Sequence, residues 1–300
     1  MNIKRLFFLF TLSACAGLGA AETPREVLRV GSYNIRLSGA DNGTDNAWQV
    51  RKADLVKQVK QLKLDVFGMQ EVCPDQAQYL REELTGYVFV GEHRGRDRKS
   101  DEASPVFYRE SRFEKLNEGT FWLSETPETP GSKSWESACP RVCTYVTLKD
   151  KTTGVIFCFA NTHTDHRSAK ARECGMRLIL ERMRNVAHNL PVVFTGDHNC
   201  DCSTAPARLA RQVFNDAREV VEKPAQGPHS TFHGFGQNRN GPRIDYIYVT
   251  PGVRVLDFVT HDDKRPGTEL YPSDHYPITA TLVINASPAD SSRRPPRVGQ

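Results

Sequence analysis

Past residue 21 the chain has no apolar run near the roughly 18 residues a helix needs to cross a bilayer, which excludes a polytopic membrane protein. It also lacks a charge excess: 40 Lys+Arg against 36 Asp+Glu leave +4 over 300 residues. That surplus sits at the ends, with Lys4 and Arg5 in front and Arg293, Arg294 and Arg297 against Asp290 behind. The body is therefore close to neutral. This excludes a globally basic polyanion binder and leaves only a local patch for phosphate. No internal repeat at a solenoid period occurs, and no linker interrupts residues 25–286, so one domain is the simplest organisation. With 38% hydrophobic and 25% charged residues, the chain is not a disordered polyampholyte.

The two ends read differently from the body. Met1–Arg5 is short and basic, Leu6–Leu12 is a compact apolar run, and small residues follow through Ala21. That is the pattern of an export signal over 1–21. Leu12-Ser13-Ala14-Cys15 resembles a bacterial lipobox, which makes Cys15 a candidate lipidated N-terminus and membrane attachment point. The alternative is ordinary cleavage after Ala21, with Gly19 and Ala21 as the small residues. The expected location is the periplasm, the outer membrane as a lipoprotein, or the extracellular space. Residues 287–300, rich in Ser, Pro and Arg, bury no core and read as a disordered tail. Either processing route leaves seven thiols, since Cys15 is either lipidated or removed, so at least one stays unpaired. Cys139-x₃-Cys143 and Cys200-x-Cys202 fit structural zinc spacing poorly and read as buried or locally paired.

Within the body, alternation or short apolar runs mark strands at Val27–Arg36, Asp65–Gln70, Pro105–Tyr108, Phe113–Leu123 and Val142–Leu148. A turn at Lys149–Gly154 joins the last of these to a strand at Val155–Asn161. Further strands are expected at Val192–Thr195, Ile244–Val249, Val253–Val259 and Tyr276–Ile284. Helical spacing marks Trp48–Leu64, Pro74–Leu84 (proline at its start), Ala169–Ala187 and Ala205–Phe214. Many short strands, hairpin connections and few helices argue for an α+β fold with antiparallel sheets.

Chemistry-bearing residues fall at the ends of these strands: Asn34, Glu71, His163, Asp197 and Asn199, with Asp245 in R-I-D-Y-I-Y and Asp274-His275 opening the last strand. Any one alone is more readily a cap or a surface group. Together they point to one site built from distant segments. The segments S-Y-N-I-R, M-Q-E-V, F-Y-R, N-T-H, G-D-H-N, R-I-D-Y and S-D-H occur in the order of the endonuclease/exonuclease/phosphatase superfamily, which the chain resembles over 34–275. That superfamily includes deoxyribonuclease I, abasic-site endonucleases, deadenylase-type exonucleases, inositol polyphosphate phosphatases and neutral sphingomyelinases. The stretches around Asn42–Arg51, Thr120–Ser124 and Lys133–Arg141 look like an exported bacterial branch of unassigned substrate. The resemblance implies a four-layer α/β-sandwich, two packed, mostly antiparallel sheets flanked by helices.

It also implies roles. Glu71 holds a divalent cation, Mg²⁺ first and Mn²⁺ second, because hard oxygen ligands suit it, with Asn34 positioning metal or phosphate and Asp274 beside the metal. Asp197 orients or deprotonates the attacking water, Asn199 donates to phosphate, and His163 and His275 stabilise the growing charge. Asp245 holds one imidazole, and Tyr108 lies near the phosphate or is sheet core. Asp274 has the alternative of a loop cap. Trp135 and Arg141 either line the substrate cleft or staple a loop, and the charged loop His93–Glu102 is by default solvated, with a substrate-facing role as the alternative. His198 stands between Asp197 and Asn199 where relatives place an apolar residue. Strand alternation turns it away from a metal-ligand role and into the interior, where its ring needs a hydrogen-bond partner.

The leading function is an exported phosphoesterase using in-line attack of water on a phosphodiester, nucleic acid first, in a 3′–5′ exonuclease mode. The second reading is a lipid, inositol-phosphate or sugar-phosphate phosphoesterase. The third is a non-catalytic surface binding module. Oligomeric state is not legible.

Overall fold

The computed structural model describes residues 26–285. The leader with Cys15 and the tail over 287–300 lie outside the described residues. Two six-stranded sheets form the centre. One runs in the order β11-β12-β1-β2-β4-β3, with β1 Leu28–Asn34, β2 Val66–Gln70, β3 Tyr87–Val90, β4 Val106–Arg109, β11 Arg254–Thr260 and β12 Ile278–Val283. The other runs β5-β6-β7-β8-β10-β9, with β5 Phe113–Trp122, β6 Val142–Asp150, β7 Ile156–His163, β8 Val192–Asp197, β9 Asn215–Asp216 and β10 Asp245–Val249. Only β1–β2 and β7–β8 pair in parallel; every other neighbouring pair is antiparallel. The expected sandwich is present.

Three apolar layers hold the stack. Alternation puts Val30, Val66, Val106, Val146, Phe159, Val193 and Ile247 between the sheets. The opposite face of the first sheet (Tyr33, Phe67, Met69) is covered by α1, Trp48–Leu62, through Leu55, Val56 and Val59. The opposite face of the second (Phe194, Tyr246, Tyr248) is covered by α3, Ala169–Ala187, through Met176, Ile179 and Met183. Ser168 caps α3 by accepting from the Ala171 amide, and α2, Pro74–Glu83, starts with proline and a Gln76 capping contact. Two short helices, α4 Ala205–Arg211 and α5 Ala217–Val220, complete the chain. No helix among the described residues is long and apolar enough to cross a membrane.

One buried cluster fastens the sheets together. Asn161 on β7 donates to the carbonyls of Met69 and Pro105 at 2.7 and 3.0 Å and accepts from Gln70 at 2.7 Å. This requires glycine at Gly68, where an added Cβ would lie 2.3 Å from the Asn161 amide. β1 and β2 are parallel, β7 and β8 are parallel, and Asn34 at the end of β1 bonds Asp197 at the end of β8, so all four strands end at the same edge of the sandwich. The site forms there.

Candidate active site

Each strand delivers one polar group to this edge. Asn34 ends β1, Glu71 follows β2, His163 ends β7, Asp197 ends β8, and Asp245 begins antiparallel β10 directly opposite Asp197. Asp274 and His275 come from the loop before β12, which begins only at Ile278, so they do not open a strand as expected. Ser273 ties that loop to β1 by donating to the Asn34 carbonyl at 2.8 Å. Arg51 of α1, fully buried, braces it further by donating to the carbonyls of Ile35, Arg36 and Pro272. Three non-glycine residues here have left-handed backbones: Arg36 (φ 58°), Glu71 (φ 63°) and Asn199 (φ 47°). For Arg36 and Glu71 that conformation is uncommon and is held by the surrounding structure.

The charges interlock. The Asn34 amide donates to Glu71 at 3.0 Å and to Asp197 at 2.9 Å, so it spans the two carboxylates. Glu71 also accepts from the Leu37 amide at 2.9 Å. His275 Nδ1 donates to Asp245 at 2.9 Å, and its Nε2 lies 3.8 Å from Asp197. Burial opposes a charge on His275, but Asp245 and Asp197 overcome that and push it up to about 10. Burial, then Asp245, pushes the Asp197 carboxyl up to about 7. His163 behaves in the opposite way. Its Nε2 accepts from the Asn199 amide at 2.9 Å, and burial followed by the charges of Arg141 and Arg94 holds it well below the usual imidazole range. One imidazole is thus a cation and the other neutral.

Glu71, His163, Asp197, Asn199 and His275 floor a cleft of about 510 Å³ that Arg36, Arg94, Glu102, Arg141 and His166 also line. The loop expected to be solvated is therefore split. Arg94 (8% exposed) bonds Asp101 and Glu102 and forms a wall, while Arg96, Arg98 and Lys99 point to solvent. Sequence reasoning assigned Glu102 no individual role within that loop; its carboxylate lies 3.8 Å from His163 Nδ1 and is raised to about 7, chiefly by burial. Its place three residues before Pro105, which accepts from Asn161, is the one signal that ties it to the edge. Arg141 lines the cleft, whereas the Trp135 carbonyl accepts from Ser168 and staples the start of α3.

Two expectations need correction. Tyr108 is not at the site. Strand β4 runs antiparallel to β2 and pairs Tyr108 with Val66, four residues before the site end of β2, so its ring is core between the sheets. His198 does turn inward, against Phe194, Tyr246 and Tyr248 at 5.1, 5.1 and 5.6 Å between ring centroids. Yet neither of its ring nitrogens has a hydrogen-bond partner among the described residues, contrary to the expectation. The ring packs against three aromatic faces. All seven cysteines among the described residues are free thiols.

The donor set fits a hard divalent cation. Ligand atoms of Glu71, His163 and Asp197 lie within 4.8 Å of one another, and the Glu71 and Asp197 carboxylates converge with an amide between them and, among the described residues, no lysine or arginine bonded to either. Oxygen donors in that arrangement suit Mg²⁺ or Mn²⁺.

The endonuclease/exonuclease/phosphatase family profile matches residues 31–275. The chain belongs to this family. Members are phosphoester hydrolases, generally dependent on divalent metal, and the chain is an enzyme of that class. Among solved structures, a family protein from Bacteroides thetaiotaomicron is 33% identical, covers 88% of this chain and all of its own (100%), and superposes with a TM-score of 0.82. A mannosyl-6-phosphatase of the same organism is 34% identical over 86% of this chain and 100% of its own, with a TM-score of 0.80. The human nocturnin catalytic domain with a bound sulfate anion (19% identity, 86% of this chain, 96% of its own, TM-score 0.66) shares the family fold. No curated protein matches the chain.

Proposed function

We propose that the protein is a Mg²⁺-dependent phosphoesterase that cleaves compact phosphate esters, sugar phosphates first, by in-line attack of water. The observation that carries this is the meeting of Glu71, Asn34 and His275 from one sheet with Asp197 and Asp245 from the other around one cleft. When bound, the cation offsets phosphoryl charge and polarises a phosphoryl oxygen. Asp197, with a carboxyl near neutrality, takes the proton of the attacking water. His275, held cationic by Asp245, donates to a phosphoryl oxygen, and Asn199 and His163 orient the phosphate. Asp274, 3.6 Å from Arg36, adds a carboxylate beside the Glu71 side of the site.

A compact substrate is favoured over nucleic acid by the near-neutral body, the wall of Arg94 and Glu102 on one side of the cleft, and the 34% identity to a mannosyl-6-phosphatase. The nuclease reading ranks second here. A panel of sugar, inositol, lipid, RNA and DNA phosphates, run with Mg²⁺ and with chelator on wild type, Glu71→Gln and Asp197→Ala, tests it. Faster chelator-sensitive turnover of RNA or DNA than of sugar phosphates would restore the nuclease. No metal-dependent turnover of any ester would leave a binding module. Export belongs to the same proposal, and a mature N-terminus at Glu22 would end the lipidated Cys15 reading.

A further inference from the structure

Three arginines line the cleft, and they differ in how far their charge is answered. Arg94 bonds both Asp101 and Glu102. Arg36 bonds Asp41 and lies 3.6 Å from Asp274. Arg141 is only 5% exposed, yet its Nε and Nη1 have no hydrogen-bond partner among the described residues. Its nearest carboxylate, Asp165, stays 3.8 Å away and is already committed to Ser137 and to the backbone amides of Ala138, Arg167 and Ser168. Its remaining nitrogen, Nη2, meets His166 Nδ1 at 2.9 Å. A guanidinium only donates, so His166 accepts there and carries its proton on Nε2, a second donor on the same wall. A buried cation with two idle donors is costly unless an anion completes it.

The strand order places this group next to the phosphate position. β6 pairs antiparallel with β7, Cys143 opposite Thr162, so Arg141 leaves the sheet beside His163. A phosphodiester offers two unesterified oxygens and one negative charge. A phosphomonoester offers three oxygens and close to two charges near neutral pH. Building on the phosphoesterase reading, we propose that Arg141, steadied by His166, forms a subsite for the extra unesterified oxygen and so selects phosphomonoesters.

The test compares kcat/KM for p-nitrophenyl phosphate and bis(p-nitrophenyl) phosphate, whose leaving groups are the same. Arg141→Gln should lower the monoester-to-diester ratio about 30-fold, with Arg141→Lys recovering part of it. An unchanged ratio would overturn the proposal, as would a loss seen only with substrates bearing a second anion on the leaving group. His166→Ala, which changes a more exposed residue, should lower the ratio about threefold, and it carries the test if Arg141→Gln does not fold. Calorimetric titration of the metal-free protein with inorganic phosphate supplies a readout independent of turnover. Arg141→Gln should weaken that binding about tenfold or more, and equal affinity would count against the subsite. Absence of turnover in wild type would instead tell against the phosphoesterase reading.

Discussion

The cleft floor and the aromatic layer beneath it each bury a histidine, and the two have opposite character. His275 is 4% exposed and His198 is fully buried, so the loss of water is nearly the same. His275 faces Asp245 at 2.9 Å and is pushed up to about 10. His198 lies among three aromatic rings, and burial followed by the charge of Arg243 pulls it down to about 3. Burial therefore does not decide what a polar side chain does. The groups facing it decide, and here a single peptide step, from Asp197 to His198, crosses from one environment to the other.

The sharpest way to break the contrast is to remove charge from the floor. Asp197→Asn leaves the shape but takes away the carboxylate that both catalytic imidazoles face, and kcat should fall about 10³-fold, measured on whichever ester the panel selects. Asp245→Asn should cost about 10²-fold and lower the His275 pKa, visible by NMR titration. The sign of its stability effect follows from linkage. Because His275 is raised in the folded state, its pairing stabilises fully below the unfolded value of about 6.5 and is lost as pH rises through about 10. Denaturant unfolding of Asp245→Asn should thus show its largest deficit at neutral and acid pH and a shrinking one above about pH 9.

His198→Phe sharpens the comparison from the other side. His198 is depressed in the folded state, so the unfolded chain binds more protons between about pH 6.5 and about 3, and stability falls as pH drops through that window. The phenylalanine variant should turn over substrate within about threefold of wild type and unfold at lower pH in an acid titration. Tyr108→Phe is the smallest change. It leaves kcat/KM within about twofold, since the ring packs between the sheets far from Asp197.

What the sequence made legible were the groups whose position follows from one strand. Asp197 and Asn199 flank a residue on the other face, and Asn34, Glu71 and His163 end strands whose cores are apolar, so local alternation placed them. Tyr108 went to the core rather than the phosphate because the F-Y-R segment says nothing about which way β4 runs. Glu102 and Arg94 were hidden in a loop whose charges of both signs read as solvation, and only the fold folds that loop over His163. Strand β3, Tyr87–Val90, is four residues at a sheet edge and pairs with β4 alone, too short to show a period. The unpartnered ring of His198 was missed because the rule that buried polar atoms find partners outweighed, in one dimension, the size of the aromatic cage around it.

The Asn161 clasp has a consequence for how competence arises. Neither sheet carries a whole site: one brings Asn34, Glu71 and the His275 loop, the other His163, Asp197 and Asp245, and they are brought into register by hydrogen bonds that cross at Gly68. Half of this molecule is not half an enzyme. During refolding, turnover can return only after the two sheets have closed on each other, so catalysis reports on their docking, whereas the signal from backbone structure reports on each sheet alone.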